Sequence, residues 1–473
     1  MIILYPQFVI RDWTLPPEGG VLDSAIVYHD NQELIYKRVE FWSLLDSLIE
    51  QSATDRLFVL DLHLLFACLL WHMPTHPRTQ ALYKAIYECR IVSLNDLTKV
   101  SESVRGWKAL LEKHLVIPSL VQLAKEADAL DRWLLRSYGE SKSNYLGAHV
   151  ETLGRAAAMI VTWAGVRIDP ELLASGYKFF KEQAPHDMVG QWNTLASHYR
   201  QVHQTIRNDG CCHPVYHRLA TYRLGSNWPN IQNFTASGGE FASKQLIIPN
   251  TGEILVGYDL KLAELHSLAY CWTNQFGEEG QQLLLDLNAG LDLHQETGKI
   301  LFPNSDLIPE LIRTVGKITN FAILNLSGVR RINENLEQKN LPTITSKQFN
   351  KAFRYLCDRY PIEDWHKDAR KAVGGKIIST HYGRQIRVLR PQQYTGYQFQ
   401  VLTGDSTALA ALEIIMSGVL PRYLIHDEIF VSTTSENITT CHDAYLRGFG
   451  KLLPPCTPQL KISQYHERWG IIT

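Results

Sequence analysis

Three polar residues, His426-Asp427-Glu428, stand between two apolar runs, Tyr423-Leu424-Ile425 and Ile429-Phe430-Val431. That pattern predicts a β-hairpin whose turn holds the polar trio between buried strands. A second carboxylate, Asp259, closes the apolar run Ile254-Leu255-Val256-Gly257-Tyr258 and so belongs at another strand end. A lone strand-end aspartate is ordinarily a solvated cap. Two of them together can share a pair of Mg²⁺ ions. Such ions, about 3.5–4 Å apart, clamp the attacking and leaving oxygens of a phosphoryl transfer. Arg313, Lys317 and Phe321 recur every fourth residue, which puts them on one face of a helix. Two cations can hold a triphosphate there, with the ring beside a base or sugar. An amphipathic surface helix has the same spacing, so this trio gains weight only alongside the aspartates.

Further motifs occur in a fixed order. Thr221-Tyr222-Arg223-Leu224-Gly225-Ser226-Asn227-Trp228-Pro229-Asn230-Ile231-Gln232-Asn233 precedes Asp259, and Gly290-Leu291-Asp292-Leu293-His294 follows it. Next come Arg313 to Phe321, then Tyr382-Gly383-Arg384-Gln385-Ile386-Arg387, and last the His426-Asp427-Glu428 trio. Taken together, this order resembles the family A DNA polymerases, the bacterial DNA polymerase I family, over about residues 145–473. The resemblance implies an α/β (α+β) chain built as a right hand. It has an antiparallel palm sheet, helical fingers and a reduced thumb, behind a degenerate exonuclease-like α/β domain. The implied divisions are residues 1–140 for the exonuclease-like unit, 141–220 for the lead into the palm and a short thumb, and 221–473 for palm and fingers, with the fingers near 290–395.

The resemblance also implies roles. Asp259 and Asp427 become ligands of two Mg²⁺ ions, for which Mn²⁺ can substitute, with the Leu260 carbonyl as a further ligand. Glu428 lies by the primer terminus and His426 against the primer strand. Arg313, Lys317, Phe321 and His294 hold the dNTP, with Lys317 among the catalytic groups. Glu264, five residues after Asp259, matches the carboxylate that excludes a ribose 2′-hydroxyl. Arg223, Gln232, Asn233, Arg384 and Arg387 match contacts to primed template DNA, where cations position backbone without reading sequence. Several positions depart from the pattern. Lys261 and His266 flank Glu264, Ala322 follows Phe321, and Asn325 stands where the family has a tyrosine that braces the Glu. Thr403-Gly404-Asp405-Ser406 replaces Gln-Gly-Thr-Ala, so the glutamine that reads the minor groove is missing. These departures imply relaxed checking of sugar and duplex.

The elements that must position these residues are partly legible. Ala25-Ile26-Val27-Tyr28 reads as a strand, and Phe41 to Ile49 and Leu57 to Leu70 as helical. Residues 1–140 hold no Asp-x-Glu, the strand-borne pair a 3′–5′ exonuclease needs for its metals, so no proofreading is expected. Apolar helical spacing after Leu146 stops at Gly165. Only about 50 residues separate Asp169 from Thr221, where the family's thumb takes roughly a hundred. A short thumb grips less duplex and makes a tethering or processivity partner a candidate.

The net charge is −1, which alone does not mark a nucleic-acid binder, but residues 313–390 carry 16 Lys/Arg against six Asp/Glu. Such a local basic face can neutralise phosphates. The eight cysteines have no repeating spacing; Cys211-Cys212-His213 lacks the second pair that a zinc site needs. Reduced thiols, no basic leader at the start, and no apolar run of about 18 residues lead to the expectation of a cytoplasmic protein, in a bacterial or phage-infected cell, without a membrane span. Two other readings compete with a DNA polymerase. A single-subunit RNA polymerase shares the palm and lysine helix, but Glu264 and the His-Asp-Glu trio oppose it. A non-catalytic DNA-binding scaffold derived from a polymerase would need neither Asp259 nor Asp427.

Overall fold

The computed structural model describes residues 2–10, 20–29, 32–52, 57–59, 81–82, 84–85, 91–93, 142–182, 190–219, 221–303, 306–380 and 385–470. The chain opens with β1 (Ile2–Ile10), β2 (Gly20–His29), β3 (Gln32–Lys37), α1 (Arg38–Gln51), β4 (Leu57–Val59) and β5 (Ile91–Ser93). These strands form one sheet in the order β3-β2-β1-β4-β5. The close connection between β2 and β3 makes an antiparallel pair, whereas β4 returns through α1 and lies parallel to β1. Leu57 and Val59 are fully buried, so the expected helix from Leu57 begins instead as a strand. An apolar run of three or four residues is ambiguous between helix and strand in sequence. The rest of that run, to Leu70, lies outside the described residues.

α2 (Lys142–Ala164) stops at Gly165, whose φ of +67° suits a residue without a side chain, as its sequence implied. Then follow β6 (Val166–Arg167), α3 (Pro170–Glu182), α4 (Gln191–Thr205), β7 (Cys211–Cys212), β8 (Val215–Arg218) and β9 (Leu224–Asn227). Phe179, Phe180, Trp192, Tyr199 and Phe241 pack their rings together and join α3 to α4.

The largest body starts at β10 (Ile254–Leu260), followed by α5 (Ala263–Phe276), α6 (Glu278–Asn288), α7 (Leu293–Leu301), α8 (Pro309–Leu324), α9 (Val329–Gln338), α10 (Ser346–Cys357) and α11 (Ile362–Lys371). The hairpin β11 (Lys376–Ser379) and β12 (Gln385–Val388) leads to α12 (Pro391–Met416), β13 (Pro421–Ile425), β14 (Glu428–Thr433), α13 (Ile438–Gly450) and β15 (Leu460–Tyr465). An antiparallel sheet ordered β13-β14-β10-β15 forms the floor. Ile429, Phe430 and Val431 on β14 are completely buried, and Phe430 stacks on Tyr423 with ring centres 4.3 Å apart. Burial of each such side chain contributes about 1.5–3 kcal/mol. α12 is long and apolar enough to cross a membrane, but 89% of its most apolar window is buried in the fold, so it is the core helix behind the sheet.

Two glycines set the distance between α7 and α8. A Cβ on Gly298 would fall 2.2 Å from the Ile312 carbonyl oxygen, and one on Gly316 would fall 2.0 Å from that of His294. Both targets are backbone, which cannot swing aside. Gly316→Ala therefore forces the helices apart and is expected to lower unfolding stability by about 1–3 kcal/mol in a urea titration. Gly450→Ala, which meets open space at the end of α13, is the control and should stay within about 0.5 kcal/mol of the parent. Matching midpoints for the two variants would contradict the close contact.

Candidate active site

Strand register brings the carboxylates together. Tyr258 on β10 pairs with Ile429 on β14, so the next rung sets Asp259 across from Glu428. On its other edge Asp259 pairs with Lys461 of β15. Asp427 sits in the turn between β13 and β14, one step beyond Glu428. The turn holds only His426 and Asp427; Glu428 is the first residue of β14, which corrects the three-residue turn expected from sequence. Its side chain is admitted by Gly257, where a Cβ would lie 2.7 Å from Glu428 Oε1. His426 takes a left-handed φ of +56°, and Leu262, at the start of α5 just past Asp259, takes +60°. Such values are uncommon outside glycine and tend to mark sites that the surrounding fold holds in place. From beneath, the Tyr445 hydroxyl of α13 donates to the Asp427 carbonyl oxygen.

The electrostatics follow from this crowding. Burial, then the charge of Asp427, raises the Asp259 pKa above the usual carboxylate value, with Lys461, Lys317 and Arg313 opposing. Burial likewise raises Asp427, against Arg223 and Lys317. Burial and then Asp259 push Glu428 up to about 7. Three half-buried carboxylates thus face one another with too little positive charge between them.

The opposite wall is cationic. Asp259, Leu260, Glu264, Asp292, His294, Arg313, Lys317, Phe321, His426, Asp427, Lys461 and Arg223 all line one cleft of about 700 Å³. Arg313 Nε donates to Asp292 Oδ2 at 2.7 Å. The other carboxylate oxygen of Asp292 caps α7 by accepting from the backbone N–H groups of His294 and Gln295. Burial would raise Asp292, but the Arg313 and backbone hydrogen bonds outweigh it and hold the carboxyl below its ordinary value. Phe321 lies against His294, ring centres 5.5 Å apart, and stacks on Phe399 of α12.

Glu264 also opens on the cleft, in contact with the Arg223 guanidinium. Asn325 does not reach it. Its Nδ2 donates to the Phe321 carbonyl oxygen, and its Oδ1 accepts from Thr395 at 2.8 Å. Thr403 is buried and donates to Ser267, while Asp405 is buried against Arg218, so neither faces the cleft. Lys261 is exposed and His266 is buried in α5. Gln232 Nε2 donates to the Leu224 and Leu424 carbonyl oxygens, making it a strut for β13, where the resemblance implied a DNA contact. Asn233 is exposed beside it, and Arg387 is exposed on β12 and is not among the residues that line the cleft. Arg384 lies outside the described residues.

Sequence reasoning missed Lys461, Tyr445 and the bridging role of Asp292. Asp292 carried a signal, since an Asp three residues before Gln295 has capping-box spacing. Lys461 and Tyr445 are placed only by strand and helix packing. Among the described residues no three His, Cys, Asp or Glu side chains close into a metal cage.

Neither the protein-family models nor the curated proteins match this sequence. Among solved structures, it is similar to the POL domain of Pol1 from M. smegmatis in complex with DNA primer-template and dNTP. The match has a TM-score of 0.67 at 15% sequence identity and covers 98% of this chain and 95% of that one. The mixture of helices and small antiparallel sheets is thus the fold of a family A polymerase domain.

Proposed function

We propose that the protein is a template-directed DNA polymerase that adds dNTPs to a primer 3′ end without proofreading, in replication or repair. One observation carries this reading: a strand aspartate and a turn aspartate face an Arg–Lys–Phe helix and a histidine across a single cleft. Phosphoryl transfer requires little covalent chemistry from a protein and depends mainly on position and charge. The primer 3′-hydroxyl oxygen forms a bond to the α-phosphorus of the nucleotide, and the bond to pyrophosphate breaks. Arg313 and Lys317 suit the triphosphate, with Phe321 beside the base and sugar.

The donor set fits hard divalent cations. Asp259 and Asp427 offer oxygen only, and each carboxyl is raised in pKa, as expected for a site lacking positive charge. These two residues, with the Leu260 carbonyl, would hold Mg²⁺ or Mn²⁺. Bound there, such ions supply charge neutralisation at the phosphates and make the hydroxyl a better nucleophile. Glu428 supports the floor next to Asp259, and Tyr445 fixes the turn that carries Asp427. Glu264, held by Arg223 on the wall of the cleft, is the proposed barrier to a 2′-hydroxyl. Arg223, Asn233, Arg387 and His426 are the proposed contacts to primed DNA.

Asp259→Asn and Asp427→Asn preserve shape but remove charge. Each is expected to slow primer extension at least about a thousandfold. Primer-template binding, read by fluorescence anisotropy, should change less than about threefold. Extension at the parent rate by either variant excludes this site.

Sugar choice gives a second test. Glu264→Ala should lower the dATP-over-ATP ratio of kcat/KM opposite template T by roughly tenfold or more. An unchanged ratio removes Glu264 as the gate, and a parent enzyme that prefers ATP would make it an RNA polymerase.

A third test concerns the N-terminal unit, whose residues 1–140 lack Asp-x-Glu. A 3′-mismatched primer incubated with Mg²⁺ and no dNTP should keep its length. Shortening that survives Asp427→Asn would reveal an active exonuclease.

A further inference from the structure

His294 lines the cleft yet is only 2% exposed, and its two ring nitrogens have different surroundings. Nδ1 lies 3.1 Å from the side-chain amide nitrogen of Asn320, which is wholly buried on α8 just before Phe321. That same amide nitrogen donates to the Leu293 carbonyl oxygen at 3.1 Å. A carbonyl oxygen can only accept, so the Leu293 bond decides which end of the amide is nitrogen. An amide nitrogen can only donate, so Nδ1 must accept. A neutral imidazole that accepts at Nδ1 carries its proton at Nε2. The ring is neutral because burial, helped by Lys317 and Arg313, lowers its pKa to about 3 against the pull of Asp292. Among the described residues the hydrogen bond to the ring is the one at Nδ1, which leaves Nε2–H for the cleft.

Packing alone does not account for an asparagine here. Its Oδ1 is buried without a hydrogen-bond partner among the described residues, and such an acceptor weakens a fold. A leucine of similar size would bury no such oxygen, but it would take the donor away from the Leu293 carbonyl and from His294 Nδ1. The donor is what the position supplies.

The geometry points to Asn320 as a positioning residue that locks His294 in its Nε2–H form, so that a neutral ring presents a hydrogen-bond donor to phosphate oxygens of the incoming nucleotide. The ligand part of this rests on the polymerase reading above; the tautomer does not. A donor without charge binds a phosphate oxygen by direction. It therefore helps select where the triphosphate lies between Arg313 and Lys317, which attract it from any direction.

The test uses the full chain labelled with ¹⁵N-histidine near pH 7.5. His294 is assigned by the resonance that His294→Gln removes. In the parent, Nδ1 should resonate as unprotonated and Nε2 as protonated. Asn320→Leu should release the lock and give a ring averaged between tautomers. The KM for dNTP should rise on the order of tenfold in that variant, with kcat changed by less than about twofold. Inorganic triphosphate should compete less well by a similar factor. A parent ring protonated at Nδ1, which can be read whether or not Asn320→Leu folds, overturns the proposal. So does an unchanged tautomer in folded Asn320→Leu. A parent that shows the Nε2–H ring, loses it in Asn320→Leu, and extends no primer would retain the lock and sink the polymerase reading.

Discussion

Repulsion between Asp259 and Asp427 is the constraint on which the rest of the structure depends. Like charges side by side in a half-buried cleft separate unless something stiff prevents it. Here the stiffness comes from the β10–β14 ladder, its completely buried rungs, and a turn tied down by Tyr445. The folding energy of the floor holds a negative focus open to the cleft. Lys461 on the sheet and Lys317 and Arg313 on α8 act against it through their charge.

The cationic wall answers a different problem, which is how to keep a flexible arginine aimed. Asp292 serves two ends at once: one oxygen starts α7 and the other holds Arg313. The wall is thereby aligned by a helix cap, an interaction that contributes about 1 kcal/mol of stability in its own right. Glu264 is handled similarly. The Arg223 guanidinium holds it, while Asn325 is turned away toward Thr395. The Glu264 carboxylate thus rests on an ion pair anchored beside β9.

Much of the site was legible because its signals are local. The apolar runs around His426-Asp427-Glu428 and before Asp259 gave two floor strands, and four-residue spacing put Arg313, Lys317 and Phe321 on one helix face. Glu428 was assigned to the turn because three polar residues in a row look like a loop. Nothing local reveals that Gly257, on another strand, makes room for one of them. Leu57 to Val59 was read as helix because so short an apolar run has no alternation to detect. Gln232 looked like a DNA contact by its motif, yet its amide is used on two carbonyls, one of them 192 residues away. Lys461, Tyr445 and Asn320 were out of reach for the same reason: each matters through a partner that only packing supplies.

The Gly298–Gly316 contact makes α7 and α8 behave as a single plate, and the Thr395–Asn325 bond pins one end of that plate to the core helix α12. A pinned plate moves as a lever. Measured along α8 from the pin, Phe321 is about 6 Å out and Arg313 about 18 Å out. Any swing about Asn325 therefore carries Arg313 roughly three times as far as Phe321. The ring that stacks on Phe399 therefore lies near the pin, and the guanidinium with the cap that aims it lies at the far end.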